Sequence, residues 1–153
     1  METYLIFMLQ QEYFAVPVTK VLEVLQKQNI THVPKTPEHI LGIINFRGDI
    51  LPVIDTRRKF NLPNTNSSEK YVVIVFDIIN PDNTKTIIAA TVDMVKDVIV
   101  INQQNIKPVP ELGLSYDSRF IQGAVRTDEG FILLLDIEKI LSNKDLANIQ
   151  PLQ

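Results

Sequence analysis

The sequence predicts a mostly β protein made of two small barrels or sandwiches packed together. Two observations carry that prediction. Short apolar runs are punctuated by turn signals roughly every 8–12 residues, the spacing of small all-β units. One stretch also occurs twice: Gly42–Phe60 reads GIINFRGDILPVIDTRRKF, and Gly123–Leu141 reads GAVRTDEGFILLLDIEKIL. Gly42 and Gly123, Asp55 and Asp136, and the basic residues Arg58 and Lys139 all fall at one common spacing. One copy alone would bury little core, so the two are expected to pack against each other.

Taken in order, Tyr4–Leu9 is continuously apolar and reads as a strand buried on both faces. Gln10-Gln11-Glu12 is a polar turn and Tyr13–Val16 the returning strand. Pro17 suits the first position of a helical turn, placed at about 18–21, before a strand over Leu22–Gln26. Val33-Pro34 and Pro37 mark an irregular crossing. Leu41–Phe46 and Ile50–Asp55 are then two strands around a tight reversal at Arg47-Gly48-Asp49, where Gly48 takes φ > 0 without steric cost. Pro52 predicts that the second of these strands lies at an edge or carries a bulge. Asp55 is an N-cap for a short helix, Thr56–Phe60. Leu62–Lys70 is a polar linker.

The pattern then repeats. Tyr71–Ile79 is an apolar strand, Asn80-Pro81-Asp82-Asn83 a turn, and Thr86–Val92 the return. Val92-Asp93-Met94-Val95-Lys96-Asp97-Val98 matches Val18-Thr19-Lys20-Val21-Leu22-Glu23-Val24, and Val98–Ile101 is the strand after it. Ile106 and Val109-Pro110 match Ile30 and Val33-Pro34. Glu111–Arg119 is an insert ahead of the second glycine-strand-Asp-helix unit, and Asn143–Gln153 reads as a weak helix. The division expected is one unit over 1–153, with subdomain one at about 13–70 and subdomain two at about 71–140. End segments are expected to cross over and complete the opposite barrel.

Composition narrows the function. With no cysteine there is no disulfide, thiol nucleophile or Cys-ligated metal. The net charge of −3 argues against a nucleic-acid partner, which would want a basic stripe. The beginning Met1-Glu2-Thr3-Tyr4 lacks the pattern of a signal peptide, and no apolar run approaches the ~18 residues of a spanning helix. A cytoplasmic protein is expected. His32 and His39 have no zinc spacing, and no serine sits in a G-x-S-x-G elbow. Phosphate-cradling glycine motifs are absent, so no cofactor is expected. Asp49, Asp55, Asp93, Asp97 and Asp136 read as turn and cap residues rather than an acid–base pair.

Arg47 stands out, at the end of an apolar strand and beside Gly48. One reading is an exposed hairpin-tip arginine of little consequence. The other is an arginine folded back along the barrel and paired with an acid, for which Glu23, alone in an apolar run, is the candidate.

The run Gly42-Ile43-Ile44-Asn45-Phe46-Arg47-Gly48 and Ile50-Leu51-Pro52-Val53-Ile54-Asp55-Thr56-Arg57 resembles the G-x-x-N-x-R-G-x-x-x-P-v-x-D-l-r segment of the CheW family of chemotaxis coupling proteins. Val18–Val24, Tyr71–Phe76, Val92–Val98 and Gly123–Leu141 extend the resemblance over nearly the whole chain. It departs from the family at Phe46, where leucine is usual, and at Thr56. The resemblance implies two tandem five-stranded SH3-like barrels around a shared apolar core. It implies no enzymatic activity, and an adaptor joining a CheA-type histidine kinase, through its regulatory domain, to the cytoplasmic tips of methyl-accepting chemoreceptors. Such a protein would be recruited to membrane-associated receptor arrays without inserting in the membrane. It also implies a receptor groove between the barrels: Glu23 and Arg47 match its charged pair, Val21 and Val72 its apolar positions, and Asn45 belongs to the same box. Gly42, Gly48, Asp55, Gly123 and Asp136 are turn or cap residues. The alternative readings are a nucleic-acid-binding barrel and a small hydrolase.

Overall fold

A strand buried on both faces needs a core on each side, and that requirement organises this molecule. The computed structural model describes residues 1–60, 70–109, 120–128 and 130–141. The strands in chain order are β1 (Glu2–Leu9), β2 (Glu12–Pro17), β3 (Val21–Leu25), β4 (Ile40–Phe46) and β5 (Asp49–Asp55), then β6 (Val72–Ile79), β7 (Lys85–Val92), β8 (Met94–Ile101), β9 (Ile121–Thr127) and β10 (Gly130–Leu135). The short helix α1 (Thr56–Lys59) follows β5, α2 (Ile137–Ile140) follows β10, and 3-10 turns occupy Val18–Lys20 and Gln103–Asn105. The predicted linker 62–70 except Lys70, the insert 111–119 and the terminal segment 143–153 lie outside the described residues.

The strands form two five-stranded sheets, β8-β1-β2-β10-β9 and β3-β6-β7-β5-β4. The orders are equivalent if the first repeat runs from β1 to α1 and the second from β6 to α2. Each repeat keeps its last three strands in one sheet and gives its first hairpin to the other. Residues 13–70 and 71–140 therefore do not correspond to the two sheets. One sheet uses strands between Val21 and Val92, and the other is completed by strands from before and after that span. The exchange is sealed by parallel pairing, β2 with β10 and β5 with β7.

Each sheet curls into a barrel. The segment after β3 reaches the opposite edge, where Thr31 and Ile43 exchange two backbone hydrogen bonds of 2.9 Å. Lys107 and Ala124 do the same after β8, at 2.9 and 2.8 Å. This crossing explains the paired glycines. A Cβ on Gly42 would lie 2.1 Å from the Thr31 carbonyl oxygen, and one on Gly123 would lie 2.6 Å from Ile106 Cγ2 and 2.9 Å from the Lys107 carbonyl oxygen.

Three apolar cores result. Tyr4 and Ile6 of β1 point into one barrel with Ala15, Val125 and Leu134. Leu5, Phe7 and Leu9 point the other way, into a core shared with Phe60, Ile74, Phe76 and Ile88 of the second barrel. Val53, Val73, Val75 and Ala89 fill that second barrel. Phe7, Phe14 and Phe60 stack in sequence, with ring centroids 5.9 and 5.8 Å apart, and Phe120 meets Phe60 edge-on at 5.9 Å. The aromatic row runs from β1 and β2 of one sheet to Phe60, just past α1 of the other, so this shared core belongs to both barrels.

Local details follow sequence chemistry, with three differences. The first turn is 3-10 and ends at Lys20, so β3 begins at Val21. β8 begins at Met94, four residues earlier than the predicted Val98, because no 3-10 turn separates it from β7. β5 is an inner strand. Pro52 lies where β5 has not yet met β7, whose pairing starts at Val53, and its partner Ile43 uses its backbone groups on Thr31. No ladder bond is lost at the proline, and the register shift falls instead on β4, between Ile40 and Gly42.

The two caps match. Asp55 accepts from the Arg57 and Arg58 N–H groups at 3.0 and 3.4 Å, and Asp136 accepts from Lys139 N–H at 3.3 Å. Their own N–H groups donate to His39 and Phe120 carbonyls, both at 2.8 Å. Asp55→Ala is expected to cost about 1 kcal/mol, and Asp55→Asn clearly less because its amide oxygen still accepts. Thermal melting of the two variants checks this.

Candidate functional site

The β4–β5 hairpin turns on Arg47 and Gly48 alone, with Asp49 already in β5 opposite Phe46. Both turn residues are left-handed, φ 51° and 88°, the type I′ pattern that matches strand twist. Glycine takes this at no cost; arginine does not. Asn45 secures the turn by accepting the Gly48 N–H on Oδ1 at 3.0 Å.

From this tip the Arg47 guanidinium reaches back across the barrel seam. Its Nη2 donates to Glu23 Oε2 at 2.9 Å, and Cζ lies 4.7 Å from the Phe46 ring centroid. β3 and β4 are opposite edges of their sheet, so the pair spans the barrel seam on its exposed side, beyond the Thr31–Ile43 bridge. The two readings of Arg47 thus combine. It is paired with Glu23, and it is also exposed, at 69% for its side chain against 36% for Glu23. At this exposure solvent would relieve the Arg47 charge even unpaired, so burial does not force the pair.

Glu23, Asn45 and Arg47 come together; Val21 and Val72 do not join them. Val21 pairs with Phe76 and packs on the shared core, half-buried. Val72, at the far end of β6, pairs with Val92 and packs on the same core. The exposed apolar side chains flanking Glu23 are Leu22 and Val24. A register shift between Val21 and Glu23 breaks the alternation by which Val21 would share a face with Glu23. Tyr71 donates its hydroxyl to the Gln28 carbonyl at 2.8 Å, and burial raises its pKa above the ordinary tyrosine value.

The second barrel rim differs. By the repeat spacing, Asp128 stands where Arg47 does and Asp97 where Glu23 does, and both line a cleft of about 270 Å³ with Tyr13, Lys96 and Thr127. A larger cleft of about 390 Å³ lies beside α1, lined by Arg57, Arg58, Tyr71 and Asp93 among others, and does not include Arg47 or Glu23. Among the described residues no group of three or more His, Asp or Glu side chains could hold a metal ion. No helix among them is long and apolar enough to cross a membrane.

Two barrels locked on one core, with a paired arginine displayed at the tip of one rim, define a rigid scaffold module. The CheW-like domain family matches residues 3–145. The chain is 32% identical to the chemotaxis protein CheW of Klebsiella aerogenes over 146 residues, 95% of this chain and 85% of that protein. It is 31% identical to the chemotaxis protein CheW of Helicobacter pylori over 137 residues, 88% of this chain and 78% of that one. The crystal structure of the scaffolding protein TtCheW from Thermoanaerobacter tengcongensis superposes with a TM-score of 0.78 at 32% identity, covering 91% of this chain and 86% of that one. The chain belongs to the CheW-like family.

Proposed function

We propose that this chain is a non-enzymatic chemosensory scaffold that couples a CheA-type histidine kinase to the cytoplasmic tips of chemoreceptors, in the cytoplasm at receptor arrays. The observation that carries the receptor side is the Arg47–Glu23 pair, displayed at a hairpin tip beside exposed Leu22 and Val24. A helical tip laid against β3 would bury those two side chains and meet a charged pair that sets its register, the helix-in-groove mode. Family membership supports the chemotaxis setting, since the relatives named above are chemotaxis proteins. Nothing among them favours the nucleic-acid barrel, and the net charge of −3 opposes it.

Co-purification with a CheA-type kinase and a receptor cytoplasmic fragment from the same cell tests the proposal. A ternary complex is the expected result. Binding to neither folded partner would overturn it.

A further inference from the structure

Two ion pairs tie the barrels together, and both run between the two sequence repeats. At one seam Arg57 of α1 meets Asp93, the residue between β7 and β8: Nη2 and Nε stand 2.7 and 2.8 Å from Oδ1. The other Asp93 carboxylate oxygen accepts the Gln10 N–H in the β1–β2 turn, and the Asp93 N–H donates to the Met8 carbonyl at 3.0 Å. At the other seam Lys20, between β2 and β3, meets Glu138 of α2 with Nζ 2.8 Å from Oε1. Glu138 Oε2 accepts the Ile79 N–H at the end of β6 at 3.3 Å.

The seams are counterparts. Arg57 and Glu138 hold the same position in their helices, and Lys20 is one residue beyond Thr19, the counterpart of Asp93. In each, the acid's second oxygen also fastens the hairpin that the sheets exchange. Only the polarity differs: α1 carries a cation and α2 an anion. Both cations therefore come from the first repeat and both anions from the second.

Had both helices carried arginine and both links aspartate, either repeat would fit a copy of itself. As the chain stands, two first repeats would set Lys20 against Arg57 at each seam, and two second repeats would set Asp93 against Glu138. We infer that Lys20, Arg57, Asp93 and Glu138 are a recognition code between the repeats, one that makes the two-barrel body heterologous: the first repeat fits the second and rejects its own kind. The four side chains are only 17–29% exposed, so like charges facing each other there would be poorly relieved by solvent. Every sheet takes strands from both repeats, so this choice of partner is made by the fold itself.

Thermal melting of the full chain tests the code. K20E/R57E and D93K/E138K each place like charges at both seams and should lower Tm by roughly 5–10 °C at low salt. The fourfold variant restores opposite charges and should recover at least half of either loss. It will not recover all, because a lysine at 93 cannot accept the Gln10 N–H. In 1 M salt, where the Debye length falls to ~3 Å, both twofold losses should shrink. A fourfold variant that loses the sum of the two, losses indifferent to salt, or no loss at all would overturn the inference. If a reversal variant does not fold, the neutral cycle of R57Q, D93N and R57Q/D93N decides at that seam. Non-additive losses are expected there, and additive ones overturn the code.

Discussion

Gly42→Ala is expected to lower the melting temperature by about 10 °C or more, the largest loss among alanine substitutions at the described glycines. The added Cβ would lie 2.1 Å from the Thr31 carbonyl oxygen and 2.8 Å from its carbon, and φ is +153°. Neither obstacle is a side chain that can turn away. The crossing segment must retreat from β4, breaking the Thr31–Ile43 bridge that closes the barrel. That combines overpacking with two lost backbone hydrogen bonds, on the order of 4 kcal/mol or more, at roughly 2–4 °C per kcal/mol for a chain this size. The comparison is with the other glycines. Gly123→Ala should cost less, since its Cβ would lie 2.6 Å from Ile106 Cγ2 and 2.9 Å from the Lys107 carbonyl oxygen, a shallower overlap than at Gly42 and at an ordinary φ. Gly48→Ala meets nothing within 4 Å and should cost only the left-handed conformation at φ +88°, about 1–2 kcal/mol. Circular dichroism melts of the three variants give the order. Equal losses would mean that the glycines serve turn freedom and that close approach is not the cause.

That ranking shows what a sequence reader could and could not see. The spacing of Gly42 to Asp55 and Gly123 to Asp136 was legible because each residue serves a local need: a close crossing, then a helix cap. The two-sided burial of β1 was legible as an unbroken apolar run. A crossing of end segments was expected from the order of the repeats, but which hairpin each repeat gives away was not legible, because a strand carries the same apolar pattern whichever sheet receives it. The exchange shows in pairings between residues far apart in the chain, β2 with β10, β5 with β7, β1 with β8 and β3 with β6. The resemblance put Val21 in the groove with Glu23, but a register shift that leaves no mark in the sequence turns Val21 toward Phe76 and the shared core, and the exposed apolar neighbours of Glu23 are Leu22 and Val24. Arg57 and Asp93 were passed over for a similar reason. Asp93 reads as a turn residue, and a partner 36 residues away leaves no local sign.

Arg47→Glu is expected to weaken binding of a receptor cytoplasmic fragment at least tenfold while the fold survives. This rests on the scaffold function proposed above. An exposed pair contributes only about 0.2–1 kcal/mol to stability, and at 69% side-chain exposure Arg47 belongs to that class. An arginine displayed for a partner can contribute 2 kcal/mol or more to binding. Arg47→Asn separates the two effects. Asparagine tolerates the left-handed conformation at φ 51° better than arginine, so this variant should melt no lower than the parent yet bind as poorly as Arg47→Glu. The exchange Arg47→Glu with Glu23→Arg restores a pair across the seam, with its cation on β3 instead of at the tip. Full recovery of stability with partial recovery of binding is expected, because the partner would meet the same pair reversed. Titration calorimetry on the four proteins reads the binding, and melting reads the fold. Unchanged binding by Arg47→Glu in a folded chain would remove the tip from the receptor surface. A melting loss as large as that of Gly42→Ala would make Arg47 a closure of the barrel, against the exposure at which it stands.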